Sequence, residues 1–346
     1  MQNIPPDKII EFIEKHFDYK LRKNGTRYRI NNPLVHDDGF HLEIGVNDGT
    51  CHDWRGDGWT GYKKDGSKYK CTFVRLVQLY LNCSYFNAIK EILGKGIDPK
   101  QYLNGNKQVT EIEKSDIDIK FPPTHKFGTG GKLETIVKNW LTKNRHLSDD
   151  LITKYDISYY GMIVVWPYYE FGELVYWQSR SITDKIFNFP PESAGVTKGQ
   201  FLYGFDYVEP ATYILITEAI IDAISINDQC VATGGAALTL DQVKKVKLLG
   251  PKDGVILVPD NDTAGLQSIL TNAKLLEPYY KIYYCVPPRD IGIKDWNDVL
   301  KSGVSPRDYI ENNVKYLSDN EKIKLMRDID NMVANKRSFT SVASVI

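Results

Sequence analysis

Three acids in this sequence stand where they can work on phosphates. Glu218 directly follows the apolar run YILIT at 213–217. Asp260 and Asp262 follow GVILV at 254–258, within the string PDNDTAG. Carboxylates that cluster repel one another, and at neutral pH they stay ionised together when a cation sits among them. Mg²⁺ takes hard oxygen ligands and shares them with substrate phosphates. Two such ions about 3.5–4 Å apart can align the attacking and leaving oxygens of a phosphoryl transfer. Asp222 lies four residues after Glu218, one helical turn along the same face. Each acid alone could equally be a helix cap, Asp262 before TAGL above all. Three at matching strand ends favour the metal reading.

The elements that must position these acids follow from the hydrophobic pattern. Over 213–286 the chain alternates regularly: strands at 213–217, 230–233, 254–258 and 281–286, helices at 219–226, 240–249 and 264–276. Short apolar strands alternating with helices predict a parallel sheet covered on both faces. Such sheets place ligands at the C-terminal strand ends, where the three acids fall. Upstream, MIVVWPYYE and GELVYWQSRSI predict paired strands around a turn at Phe171-Gly172, and helical spacing runs over 133–143. Residues 1–102 predict one small unit, with an amphipathic helix at 6–17, short strands within 26–62 and helical spacing over 72–93. Residues 103–130 are polar and end in Pro-Pro and glycines, as a linker does. The remaining divisions expected are 131–208, 209–302 and a short helical tail at 303–346.

Composition narrows the class. Lys+Arg and Asp+Glu both number 44, so no overall basic excess advertises a nucleic-acid binder, and any such surface must come from local segregation. The 5 cysteines are widely spaced with no CxxC, which disfavours a disulfide scaffold and suggests a reducing compartment. No apolar run approaches the roughly 20 residues that span a bilayer, and the first residues lack a signal-peptide core. The expected location is the cytoplasm, with no membrane partner.

The strings ITEAIIDAI, ATGGAAL and LVPDNDTAG resemble the three landmarks of a Toprim domain. That domain is shared by bacterial-type primases, type IA and II topoisomerases and some nucleases. The usual motif has glycine after the glutamate; here Ala219 replaces it. The flanks are similar to primases in particular. Arg180, then Lys185 with Asn188, then Lys198-Gly199 before Leu202-Tyr203-Gly204 follow the order of the primase core. WLTKNRHLSDDLITKYDIS resembles its helical opening, with Arg145 at the position of its arginine, and KDWNDVL resembles a string that would add Asp295 and Asn297, and Asp298 as a further candidate, to the metal site. The resemblance covers residues 131–302. It implies an α/β fold: a Toprim, Rossmann-like parallel sheet as catalytic core, preceded by an α+β subdomain and an N-terminal degenerate zinc-ribbon-like domain.

The activity implied is synthesis of short RNA primers on DNA. Glu218, Asp260 and Asp262 would be catalytic. With Asp295 and Asn297 they would hold Mg²⁺ or Mn²⁺. Arg145, Arg180, Lys185, Asn188 and Lys198 would meet nucleotide and template phosphates. Partners implied are a single-stranded DNA template, ribonucleoside triphosphates and a replicative helicase. Compactness and the degenerate ribbon suggest a phage or mobile-element source, hence a host cytoplasm. Two other classes stay open: a Toprim-type metal-dependent nuclease, and a non-catalytic DNA-binding accessory protein. Topoisomerase is disfavoured, since no further domain offers a strand-cutting tyrosine.

Residues 1–102 have the outline of a primase zinc ribbon, but not its ligands. Asn32-Pro33 stands where Cys-Pro is expected, and Trp54 follows Cys51-His52 where a second ligand belongs. His36, His41, Cys51 and His52 make no recognised spacing, so no zinc is expected and packing of Trp54, Trp59 and Phe73 replaces it. Trp54, Arg55, Lys63 and Lys64 are candidate template contacts, because basic and aromatic residues together track phosphates and stack bases; a solvated hairpin face is the plainer alternative. GTGGK at 128–132 lacks phosphate-loop spacing and the hydroxyl, since Leu133 follows the lysine.

Overall fold

The computed structural model describes residues 4–21, 26–34, 37–54, 71–81, 83, 85–94, 119–208, 213–289 and 292–343. The chain divides into two units, Met1–Ile112 and Glu113–Ile346.

The first unit opens with α1 (Pro6–His16), whose first residue is proline, where a missing N–H costs nothing. Ile9, Phe12 and Ile13 recur at helical spacing and are buried. Strands β1 (Tyr19–Leu21), β2 (Arg27–Ile30), β3 (Leu42–Gly45), β4 (Thr50–Asp53) and β5 (Cys71–Thr72) form an antiparallel sheet in sequence order. Helices α2 (Phe73–Leu81) and α3 (Tyr85–Leu93) follow. Tyr28, Ile30, Leu42, Ile44, Cys51, Phe73 and Leu76 share one core with α1.

The second unit begins with α4 (Lys132–Asn139), which runs straight into a π-helical turn at Trp140–Asn144. Next come α5 (Asp149–Lys154), capped by Ser148, and an antiparallel sheet of β6 (Ser158–Tyr160), β7 (Ile163–Glu170), β8 (Glu173–Ser181) and β9 (Phe187–Asn188). The β7–β8 turn falls at Phe171-Gly172 as the sequence predicts, both residues with positive φ of 56° and 76°. That is the geometry a two-residue hairpin prefers. Asp206 holds it, accepting the backbone N–H groups of Phe171 and Gly172 at 2.7 Å each.

The remaining elements are β10 (Tyr213–Thr217), α6 (Ile220–Ile226), β11 (Cys230–Ala232), α7 (Leu240–Leu249), β12 (Gly254–Leu257), α8 (Thr263–Leu276), β13 (Ile282–Tyr284), α9 (Trp296–Lys301), α10 (Pro306–Asn313), β14 (Lys315–Tyr316) and α11 (Asp319–Ala343). The strand order is β11-β10-β12-β13-β14. The first four are parallel, and β14 pairs antiparallel to β13. One core holds α6, α9 and α10 residues such as Ile224, Trp296 and Ile310; the other holds α7, α8 and α11 residues such as Val246, Ile269 and Leu325. The sheet is thus covered on both faces, as its near-continuous apolar strands require.

Over residues 303–343 the expected helical tail holds two helices and one short strand. It contributes β14 to the edge of the sheet, and the Tyr284 hydroxyl donates to Glu321 of α11. A two-residue strand such as Lys315–Tyr316 leaves no periodicity to detect in sequence.

Candidate active site

Strand order decides where a ligand can sit. From β10 the chain goes to β11 on one side and later returns to β12 on the other. The crevice at such a reversal, outside the carboxyl ends of the strands, is where open parallel sheets bind ligands. Ile216 pairs with Leu257 in register, so Glu218 and Asp260 leave neighbouring strands at this switch point.

The acids feel one another there. Asp260 is pushed up to about 7, first by burial, then by Asp295, Glu218 and Asp262, with Lys294 opposing. Its Oδ1 is buried and has no hydrogen-bond partner among the described residues. Glu218 is raised by burial and by Asp262, against Lys198 and Lys294. Asp222 is buried and raised well above the carboxylate range, by burial and then by Asp295 and Asp260. Repulsion of this kind makes the ionised forms costly unless positive charge arrives.

Capping turns out to be part of the picture. Asp262 caps α8, accepting the Gly265 N–H at 2.8 Å, and Asp295 caps α9, accepting the Asp298 N–H at 2.7 Å. Both remain electrostatic neighbours of the other acids. One aspartate therefore serves the helix and the cluster at once. Gly265 has its own reason: a Cβ there would overlap the carbonyl oxygen of Asp260, so only glycine lets α8 start this close to the loop. Ala219 sits at φ −103°, ψ 146°, ordinary extended backbone, so glycine is not needed after Glu218.

Among the described residues, no group of three His, Cys, Asp or Glu closes on a single metal position. The acids are instead electrostatic neighbours of one another, an acidic arc in the loose sense. An unpartnered buried carboxylate oxygen, hard oxygen donors throughout and mutual repulsion fit Mg²⁺, which keeps waters and substrate oxygens in its shell.

Two lysines flank the arc. Lys198 follows from a clamp: Tyr203 bridges to Ala232, and Gln242 donates to the Phe201 and Thr233 carbonyls at 2.9 and 2.8 Å. The clamp brings Lys198 Nζ to the Gly234 carbonyl at 2.8 Å, beside Glu218. Lys294 faces both Glu218 and Asp260, and its carbonyl accepts the Asn261 N–H at 2.9 Å. The string KDWNDVL points to Asp295 and Asn297, whereas Lys294 stands out only in the structure. The only signal was a cation directly before the capping aspartate.

Asn297, expected among the metal ligands, has its side chain engaged elsewhere. Its amide donates to the Arg145 carbonyl at 2.7 Å and to Ser225 Oγ at 3.0 Å, while its backbone N–H donates to Asp222 at 2.9 Å. It is a buried strut between α6, α9 and the segment that carries Arg145. Asp298 likewise turns aside, to Lys301 and to the Lys294 N–H.

Arg145 and Arg180 come together. Both guanidiniums lie against the Trp140 ring, at 4.9 and 5.6 Å from its centroid. Arg180 also stacks on Phe187 at 5.4 Å. Burial and the charge of Arg145 lower the Arg180 value. Lys185 is exposed in the β8–β9 loop, and Asn188 donates to Ser179 Oγ at 3.4 Å; neither is tied to the acids by any contact described.

In the first unit, hydrogen bonds occupy the place of the expected knuckles. Asn32 Nδ2 donates to Asp53 at 2.7 Å, and Asp37 bonds the His41 ring at 2.7 Å. Burial opposes the ionisation of Asp37, but the His41 ring and three backbone N–H groups hold it well below the carboxylate range. Cys51 is buried in the core. Trp54 is exposed, with His52 edge-on at 4.5 Å and Arg29 at 6.0 Å. His36, Arg55, Trp59, Lys63 and Lys64 lie outside the described residues.

Residues 215–300 match the model of a family described as Toprim-like. No curated protein matches the chain. Among solved structures it is similar to the zinc-binding and RNA polymerase domains of the Aquifex aeolicus primase. That match has 18% identity and a TM-score of 0.40, over 94% of this chain and 83% of that one. It is also similar to a DnaG primase catalytic domain bound to single-stranded DNA, at 18% identity and TM-score 0.44, over 53% and 72%. The primase fragment of the bacteriophage T7 primase-helicase matches at 21% and 0.39, over 49% and 72%. Among the described residues, no helix is long and apolar enough to cross a membrane.

Proposed function

We propose that this chain, through its Toprim-like domain, is a primase: a nucleotidyltransferase that copies single-stranded DNA into short RNA. One observation carries the reading. Glu218 and Asp260 flank the switch point, with Lys198 and Lys294 beside them and a buried Asp260 oxygen left without a partner. Acids that need cations, next to lysines that need anions, suit a triphosphate with its metal.

Bound Mg²⁺ or Mn²⁺ would supply charge neutralisation on the phosphates. Glu218, Asp260 and Asp262 would hold it, with Asp295 alongside. Lys198 and Lys294 would offset phosphate charge at the same place. Arg145 and Arg180 would engage phosphates of nucleotide or template, through donors that match phosphate oxygens in pairs. Lys185 and Asn188 would extend that basic path, and the exposed Trp54 of the first unit would serve as a template platform with Arg55, Lys63 and Lys64. A replicative helicase is the protein partner this reading proposes.

The test is direct. The protein, single-stranded DNA, labelled ribonucleotides and Mg²⁺ or Mn²⁺ should yield short RNA, and Asp260→Ala should yield none. Cleaved DNA without ribonucleotide incorporation would instead support the Toprim-type nuclease, which the same acids could serve. DNA binding with neither product would leave the accessory role.

A further inference from the structure

Arg145 and Arg180 pose an electrostatic problem. Two guanidiniums sit close enough for one to depress the other, both partly buried. Among the described residues neither makes an ion pair, and the Nε atoms of both are buried without a hydrogen-bond partner. A carboxylate between them would relieve the repulsion, but it would also consume the charge. What both of them lie against is the Trp140 ring, and Arg180 also lies against Phe187.

An aromatic face holds a cation differently from an acid. It attracts the flat of the guanidinium, worth about 0.5–2 kcal/mol per contact, and takes up none of the N–H donors at the edge, of which Arg145 Nη1 donates to Asn297 Oδ1 at 3.5 Å. The edge is what pairs with a phosphate. The backbone is shaped to allow the stack. In an α-helix of 3.6 residues per turn, residue 145 would lie roughly 140° around the axis from residue 140. The π turn closes with the Arg145 N–H on the Trp140 carbonyl at 3.1 Å, which winds Arg145 back over Trp140.

We propose that Trp140 is a positioning residue: it pins Arg145 and Arg180 side by side as an uncompensated seat for one phosphate group. The inference rests on the assignment of those arginines to phosphate under the proposed function. The phosphate could belong to a nucleotide's triphosphate tail or to the backbone of a single strand, and the two are separable.

The experiment uses the full chain with Trp140→Leu, Trp140→Met and Trp140→Phe, beside Arg145→Gln and Arg180→Gln, without divalent cation. One arm measures affinity for inorganic tripolyphosphate. The other measures affinity for a fluorescent oligothymidylate across a salt series. The Leu and Met variants should lose about tenfold in one arm, as each Arg→Gln variant does, and Phe should keep most of the affinity. If the loss is in the oligonucleotide arm, the salt slope should fall by about 0.7 per lost phosphate contact. Thermal melts of the Met and Phe variants report packing separately, and a role in positioning the arginines lowers Met affinity even where its Tm matches that of Phe. Should the Leu variant fail to fold, the Met and Phe pair decides. Met binding like wild type while both Arg→Gln variants weaken overturns the role of Trp140 and leaves the arginines in place. Undiminished binding by the Arg→Gln variants overturns the seat itself, without bearing on whether the chain makes RNA.

Discussion

The side-chain amide of Asn297 donates to the backbone carbonyl of Arg145 over 2.7 Å, joining residues 152 apart in sequence. The same Asn297 sits two residues past Asp295, the cap of α9, and offers its own N–H to Asp222. Asp222 and Asp295 of the acidic group and the backbone of Arg145 are therefore fastened to one short helix. A shift of α9 would disturb Asp222, Asp295 and Arg145 together.

Asn297→Ala should consequently act on both the acids and Arg145. It removes the Asn297 donor from the Arg145 carbonyl and from Ser225, which keeps its bond to the Ile221 carbonyl, a cost of about 1–3 kcal/mol. The expected result is a lower Tm together with weaker oligonucleotide binding. A variant with lowered Tm and unaltered binding would contradict the strut.

Gly265→Ala should be damaging out of proportion to a methyl group. The added Cβ meets the Asp260 backbone rather than a yielding side chain. Overpacking of this kind costs about 1–3 kcal/mol, and here it pushes on the loop that presents Asp260. Stability and metal-stimulated activity should fall together in thermal and turnover measurements. An Ala variant as stable and active as wild type would show that α8 can move away freely.

Lys294→Met should lower activity by about a hundredfold, the scale for losing one preorganised charge contact to a developing phosphate charge. Its folding should be little affected. The variant also removes a group that restrains the upward shifts of Asp260 and Glu218. Its pH–rate profile should therefore move to higher pH. An unmoved profile would mean that Lys294 faces solvent, not the acids.

Away from the acids, Asp206 predicts a pH effect on stability. Burial and the nearby Glu170 push it up to about 7, against the two N–H groups it accepts from the hairpin turn. A raised carboxylate stabilises the fold fully below its unfolded value near about 4 and loses that contribution as pH rises through about 7. Metal-free protein should lose Tm over that range, and Asp206→Asn should lose less. Parallel profiles would remove Asp206 as a source of the effect.

The parallel sheet and the position of its acids were legible in sequence because both follow from strong local signals. Apolar strands of a few residues alternate with helices, and the acids come immediately after them. The choice between cap and cluster for Asp262 and Asp295 was not legible, because both roles ask for the same residue at the same place. The bonds of Asn297 were not legible for a related reason: an amide can bind metal or brace a backbone, and the sequence does not show that Arg145 lies beside it. Trp140 gave no warning at all. A π turn has no sequence period of its own, and its meeting with Arg180 depends on the β7–β8 hairpin. Lys294 was hidden as one lysine among many until α9 set it opposite Glu218 and Asp260.

Under the proposed function, Glu218 and Asp260 meet around a divalent cation. Titration with Mn²⁺, followed by the loss of the free-ion paramagnetic resonance signal, tests it without depending on any particular reaction. Wild-type protein should bind Mn²⁺ more tightly as pH rises through about 7, where Asp260 ionises. Glu218→Gln and Asp260→Asn should each weaken binding at least tenfold, and Mg²⁺ should compete. Wild-type affinity in the Glu218→Gln, Asp260→Asn double variant would contradict the claim.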